Sequence, residues 1–249
     1  MSIVDDLFYK EKNMEIKSYS PAVERAEVDQ GLRAYMLKVY NYMAGGLAAT
    51  ALAAYATLNT PLFNVFFTKT GLTGFGWLVF LAPLLMVFLF HRVVSRGTIG
   101  QVQAVFWGFS ALMGASLAPI MLIYTASSMT RVFLITAGTF GAMSLYGYTT
   151  KRDLTGVGSF MIMGLWGVII ASIVNIFLKS PAMYYVLSYI SVAIFVGLTA
   201  FDTQKIRMLY MSADDDDMLM RKAVAGALEL YLDFINLFLS LLRIMGDRR

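Results

Sequence analysis

The chain has 249 residues, of which 58% are apolar and only 14% charged, with a formal net charge of +4. So few charges cannot cover the surface of a water-soluble domain of this length, and the chain reads as a membrane protein. Lys and Arg stand singly or in pairs between apolar runs with no basic face, which argues against nucleic-acid binding. With no cysteine, disulfides, thiolate metal sites and cysteine nucleophiles are excluded.

Residues 1–33 carry seven acids against five bases and no continuous apolar stretch. They read as a disordered cytoplasmic tail rather than a secretory signal. A transmembrane domain is expected over 34–246, with a short tail at 247–249. Crossing the hydrocarbon core takes about 20 residues of helix. The charge-free runs, trimmed at turn formers such as Asn59-Thr60-Pro61 and Ser180-Pro181, predict six spans near 35–58, 75–90, 102–124, 132–148, 157–178 and 184–201. A seventh apolar stretch, 223–242, has spanning length but contains Glu229 and Asp233.

The loops after the second, fourth and sixth spans hold Arg92, Arg96, Lys151, Arg152, Lys205, Arg207, Arg221 and Lys222, whereas the alternate loops hold Lys69, Arg131 and Lys179. The positive-inside rule therefore places the N-terminus in the cytoplasm. Length favours a full crossing by the seventh segment. The arginines at 243, 248 and 249 would then lie outside, against that rule, and a re-entrant hairpin is the alternative. Small residues at Gly45, Gly46, Ala49, Gly114, Ala118, Gly138, Ala142, Gly167 and Ala171 suit close helix packing. Trp77, Trp107, Trp166, Tyr184 and Tyr185 are expected as interfacial anchors. Pro83 and Pro119 predict kinks. The acidic run 214–217 lacks the spacing and glycine of a calcium loop and reads as solvated loop.

Two acids beside a basic cluster carry the chemistry. Asp202 follows the sixth apolar run in GLTAFDTQKI, and Asp233 lies within LYLDFINLFLSLLR. An acid at the centre of a membrane helix costs about 2.5–3.5 kcal/mol, so Asp233 must face protein or water. Glu229, Asp233, Asn236 and Ser240 fall on one helical face and form a polar stripe, read as lining an ion path. Asp202 and Asp233 can meet near the cytoplasmic boundary, where two carboxyls in contact share one proton and so sense pH. The same pair is the candidate transient metal site. Arg92, or alternatively Arg96, can supply the counter-charge. The lone His91 suits a snorkelling interfacial residue. An enzyme is not expected, and no cofactor: one histidine precludes an HExxH zinc site, GxSxG and P-loop patterns are missing, and YLDF replaces the GxGD of intramembrane aspartyl proteases.

The stretches GLTAFDTQKI at 197–206 and LYLDFINLFLSLLRIMG at 230–246, with six-plus-one spans over nearly the whole chain, resemble the Bax inhibitor-1/YccA-like family, the transmembrane Bax inhibitor motif proteins. The resemblance implies an all-α fold of seven transmembrane helices, in two three-helix layers around a central C-terminal helix. It implies that Asp202 and Asp233 are a hydrogen-bonded pair linking pH to a passive calcium leak, with Arg92 similar to a latch on the first aspartate. It also implies the rival role of a non-conducting regulator of a membrane-bound AAA protease or of cell-death and stress responses. Short loops and a charged N-terminus suggest a bacterial inner membrane.

Overall fold

Seven helices of nineteen residues or more carry the fold of the described residues, 21–68 and 71–249, in this computed structural model. We label the elements in chain order: α1 Pro21–Leu58, α2 Leu62–Phe66, β1 Phe67–Thr68, β2 Gly71–Leu72, α3 Gly74–Arg96, α4 Ile99–Leu117, α5 Ile120–Ile123, α6 Ala126–Thr149, α7 Thr155–Leu178, α8 Pro181–Met208 and α9 Asp216–Met245. β1 and β2 form one small antiparallel hairpin in the first long connection. Five stretches among the described residues, in α3, α4–α5, α7, α8 and α9, are long and apolar enough to cross a membrane. α1, of 38 residues, and α6, of 24, are also long enough, but Gly, Ser, Thr and Tyr dilute their apolar stretches.

Local signals set the helix ends. Thr73, Thr98, Thr125, Ser180 and Asp215 each accept a bond from a backbone N–H of the first turn, satisfying a donor the helix itself leaves free. Thr98 and Gln101 complete a reciprocal capping box. Pro119 separates α4 from α5, as an imino acid without an N–H should, whereas Pro83 is buried inside an uninterrupted α3.

Three sequence expectations shift. α1 begins at Pro21, so residues 21–33 are helical rather than tail. The turns around Gly31 and Tyr35 pack on Tyr210, and a Cβ at Gly31 would meet the Tyr210 hydroxyl. The rest of the expected tail, 1–20, lies outside the described residues. Trp107 and Trp166 stand half-way along their helices, and Trp107 packs on Tyr42 and Phe106. The acidic run is built into structure: Asp214 pairs with Lys222, Asp215 caps α9, and Asp216 and Asp217 occupy its first turn, where acids complement the helix dipole.

α9 packs on α8, α1, α6 and α4; α1 and α3 pack on α4, and α6 and α7 pack on α8. Burial follows: 61% of the most apolar window of α9 is enclosed by protein, against none of that of α7. The main core sets Tyr231, Leu230 and Val224 of α9 against Val39 of α1 and Phe106 and Phe109 of α4. Glycines permit the close approach of α1 to α4 and of α6 to α8. A Cβ at Gly114 would lie 2.3 Å from the Thr50 carbonyl oxygen, and one at Gly147 would lie 2.2 Å from that of Ala200. Gly138 and Gly167, also expected at packed faces, meet open space.

α9 is one unbroken helix of thirty residues, with a rise of about 45 Å, longer than a hydrocarbon core of about 30 Å. No hairpin interrupts it. Its end is tied to the α5–α6 connection: Thr125 N–H donates to the Asp247 carbonyl, Arg249 N–H to that of Ile123, and Asp247 N–H to the Ser128 hydroxyl. Its start lies at the opposite end of the bundle, beside the α8–α9 connection and the early turns of α1.

Candidate functional site: a carboxyl pair between α8 and α9

α8 does not end at residue 201. It continues to Met208, so Asp202 and Lys205 stand one turn apart on the same helix. α9 presents Glu229 and Asp233, also one turn apart, to that face. Four ionisable side chains thus meet where α8 and α9 pack.

The Asp202 and Asp233 side chains lie within hydrogen-bonding reach of one another. A bond between two carboxyls requires one proton, since an ionised carboxylate is an acceptor only. Asp233 is buried, and its Oδ2 is without a hydrogen-bond partner among the described residues. The Asp202 side chain is 15% exposed. Above the pair, Lys205 Nζ donates to both Glu229 carboxylate oxygens at 2.9 Å, and it approaches Asp202 Oδ1 at 3.8 Å. This ion pair bridges the same two helices from their wetter side, both side chains being about two-fifths exposed.

Hydroxyl bonds brace the surroundings. Ser144 of α6 sits between Tyr40 of α1, at 2.6 Å, and Thr203 of α8, at 3.0 Å, joining three helices beside Asp202. Deeper in the bundle, Thr50 Oγ1 lies 2.6 Å from the Tyr231 hydroxyl and 2.9 Å from the Ser110 carbonyl oxygen, joining α1, α4 and α9. Gln204 closes the loop between α6 and α7: its side-chain carbonyl accepts from Leu154 N–H and its amide donates to the Arg152 carbonyl.

A scan against protein families matches residues 32–249 to the family described as "Inhibitor of apoptosis-promoting Bax1". The chain belongs to the Bax inhibitor-1 family. It is 46% identical over 234 residues to the protein RP147 of Rickettsia prowazekii (strain Madrid E), covering 94% of this chain and 98% of that one. It is 45% identical over 223 residues to "Inner membrane protein YbhL" of Escherichia coli (strain K12), covering 88% and 94%. A protein of Caulobacter vibrioides is 44% identical over 229 residues, covering 89% and 92%. The chain is a multi-pass membrane protein of this family.

Within this Bax inhibitor-1 fold, the structure joins Asp202, Asp233 and Glu229 as the sequence suggests, but the cation beside them is Lys205. Arg92 and Arg96 are exposed at the end of α3, and neither forms an ion pair with Asp202 among the described residues. The signal for Lys205 was present, because Asp202 and Lys205 are three residues apart, but a helix ending at 201 would have hidden it. Asn236 and Ser240 lie on the predicted stripe yet turn back onto their own helix: Asn236 donates to the Leu232 carbonyl and Ser240 to that of Asn236. His91 is exposed.

Among the described residues, no group of three or more His, Cys, Asp or Glu converges to hold a metal. Calcium takes six to eight oxygen ligands, and the pair itself supplies two carboxyls with an ammonium nearby.

Proposed function

We propose that this protein is a pH-regulated passive cation leak, with calcium the foremost ion, in which the Asp202–Asp233 pair is the sensor. The observation that carries the reading is the carboxyl pair at the α8–α9 contact, with Asp233 buried and Asp202 15% exposed, spanned by the Lys205–Glu229 ion pair. Removing the shared proton sets two anions in contact where water screens them poorly. Protonation is thereby coupled to how α8 and α9 pack, and ambient pH becomes a change in helix contact. Asn236 and Ser240 would line the path once their bonds to their own helix exchange, so the described conformation is the closed one.

The packing order supports seven membrane-crossing helices: α1, α3 and α4 in one layer, α6, α7 and α8 in another, and α9 between them. The bias of basic residues in the loops supports a cytoplasmic N-terminus. The name of the Escherichia coli relative supports the inner membrane as location.

Calcium entry into liposomes containing this protein alone, measured from about pH 5 to 8, tests the reading. Asp202→Asn and Asp233→Asn should each flatten the pH response in a folded protein, because an amide keeps the shape and donates without titrating. Both variants retaining the wild-type profile would remove the sensor. Absence of flux at every pH would favour the non-conducting regulator of a membrane-bound AAA protease or a stress-response partner. In that role the acidic run would be the contact surface, with Asp215, Asp216 and Asp217 exposed, while Asp214 is held by Lys222 and Asp215 caps α9.

A further inference from the structure

The end of the bundle opposite the carboxyl pair carries the arginines that disobey the positive-inside rule, and their placement has a physical reason. The last turn of α7, the first turns of α8 and the end of α9 enclose a cavity of about 660 Å³. Lys179, Arg243 and Arg248 converge on it, together with Asn175, Tyr184 and Tyr185. A second cavity of about 320 Å³ adjoins it and shares Tyr184, Arg243 and Arg248. Their volumes lie in the range of small-molecule sites, about 300–1,000 Å³.

Neither cavity has a carboxylate in its lining. Among the described residues, Lys179, Arg243 and Arg248 have no ion-pair partner, and the nearby Asp247 is engaged by Arg131 at 2.8 Å. The guanidinium of Arg243 lies over the Tyr184 ring and that of Arg248 over the Tyr124 ring, each 6.0 Å from the centroid. Such stacking orients the cations without neutralising them.

Lys179 supplies an independent observation. It ends α7 with φ at 51°, the positive-φ non-glycine position among the described residues. A left-handed residue with a Cβ is strained, and glycine is the ordinary choice at such a helix end. Lysine here retains a charge over the cavity at the expense of backbone comfort, and strain of this kind points toward function.

We propose that this cavity binds the phosphate headgroup of an anionic phospholipid at the membrane interface. Three cations bind the phosphodiester, the tyrosines sit at headgroup depth as interfacial aromatics do, and the exposed apolar side chains of Ile176 and Val186 leave room for acyl chains alongside. The bound lipid offsets the unfavourable charge of these arginines on that side of the membrane.

The test is native mass spectrometry of the full chain in a neutral detergent, titrated with phosphatidylglycerol or phosphatidylcholine. Wild type should prefer phosphatidylglycerol, and the preference should fall about fivefold for each cation removed. Arg243→Gln with Arg248→Gln should abolish it, whereas Lys151→Gln with Arg152→Gln, at the other end, should leave it intact. Lys179→Gly guards against a misfolded variant: it relieves the strained φ, so melting should not fall while lipid preference does. Equal binding of the two lipids, or a preference that survives the arginine pair or Lys179→Gly, overturns the proposal. So does displacement of phosphatidylglycerol by excess inorganic phosphate, which would make a free anion the ligand.

Discussion

Lys205→Gln removes an ammonium that lies 2.9 Å from both Glu229 oxygens and 3.8 Å from Asp202. Unit charges 2.9 Å apart attract by about 1.4 kcal/mol in bulk water and by about 6 kcal/mol at an effective permittivity of about 20. The Lys205 and Glu229 side chains are 41% and 40% exposed, so the watery limit governs and the pair contributes at most about 1 kcal/mol. Asp202 is different. Its side chain is 15% exposed and rehydrates poorly, so loss of its cation adds about 1–2 kcal/mol. Lys205→Gln should therefore cost about 2 kcal/mol, a fall in melting temperature of about 4–8 °C for a chain of this size. Glu229→Gln should cost about half as much, because the ammonium remains for Asp202. Thermal melting in detergent of both single variants and the double variant checks this, with a coupling of about 1 kcal/mol expected. A Glu229→Gln variant as destabilised as Lys205→Gln would refute the claim that the lysine serves Asp202. Absent coupling would refute the bridge between α8 and α9.

Gly147→Ala places a Cβ 2.2 Å from the Ala200 carbonyl oxygen and should cost about 1–3 kcal/mol by forcing α6 from α8, whereas Gly138→Ala meets open space and should be neutral or stabilising in the same melting assay. In the loop before α7, Asp153 accepts from the N–H and hydroxyl of Thr155, which holds its carboxyl below the usual carboxylate range. A carboxyl lowered in the folded state contributes above its unfolded value, about 3.9, and that contribution fades as pH falls through the folded value. Asp153→Ala should thus melt below wild type at neutral pH, and the two curves should converge in strong acid. A reporter fused after Arg249 should appear across the membrane from one inserted after Lys151, since α9 is unbroken and its end is tied to the α5–α6 connection; detection of both on one side would refute the full crossing.

The sequence alone determined that the chain is helical and membrane-embedded, and roughly where each apolar segment lies, because a run of about 20 uncharged residues has few other stable environments. It also singled out Asp202 and Asp233: an acid beside or within such a run is costly unless paired, so its presence is information readable without coordinates. Tertiary structure decided the rest. That α8 outruns its apolar run to Met208, bringing Lys205 to Glu229, depends on packing against α9, because beyond 201 the sequence shows a polar segment equally suited to a loop. Whether Arg92, Arg96 or Lys205 stands by Asp202 depends on which helix packs there, and local composition is blind to that. Asn236 and Ser240 share the stripe's periodicity, but periodicity sets a face and not a partner, and both bond to their own helix. The cationic cavity gathers residues from 175 to 248 that are far apart in sequence, and only the folding of α7, α8 and α9 against one another makes them neighbours.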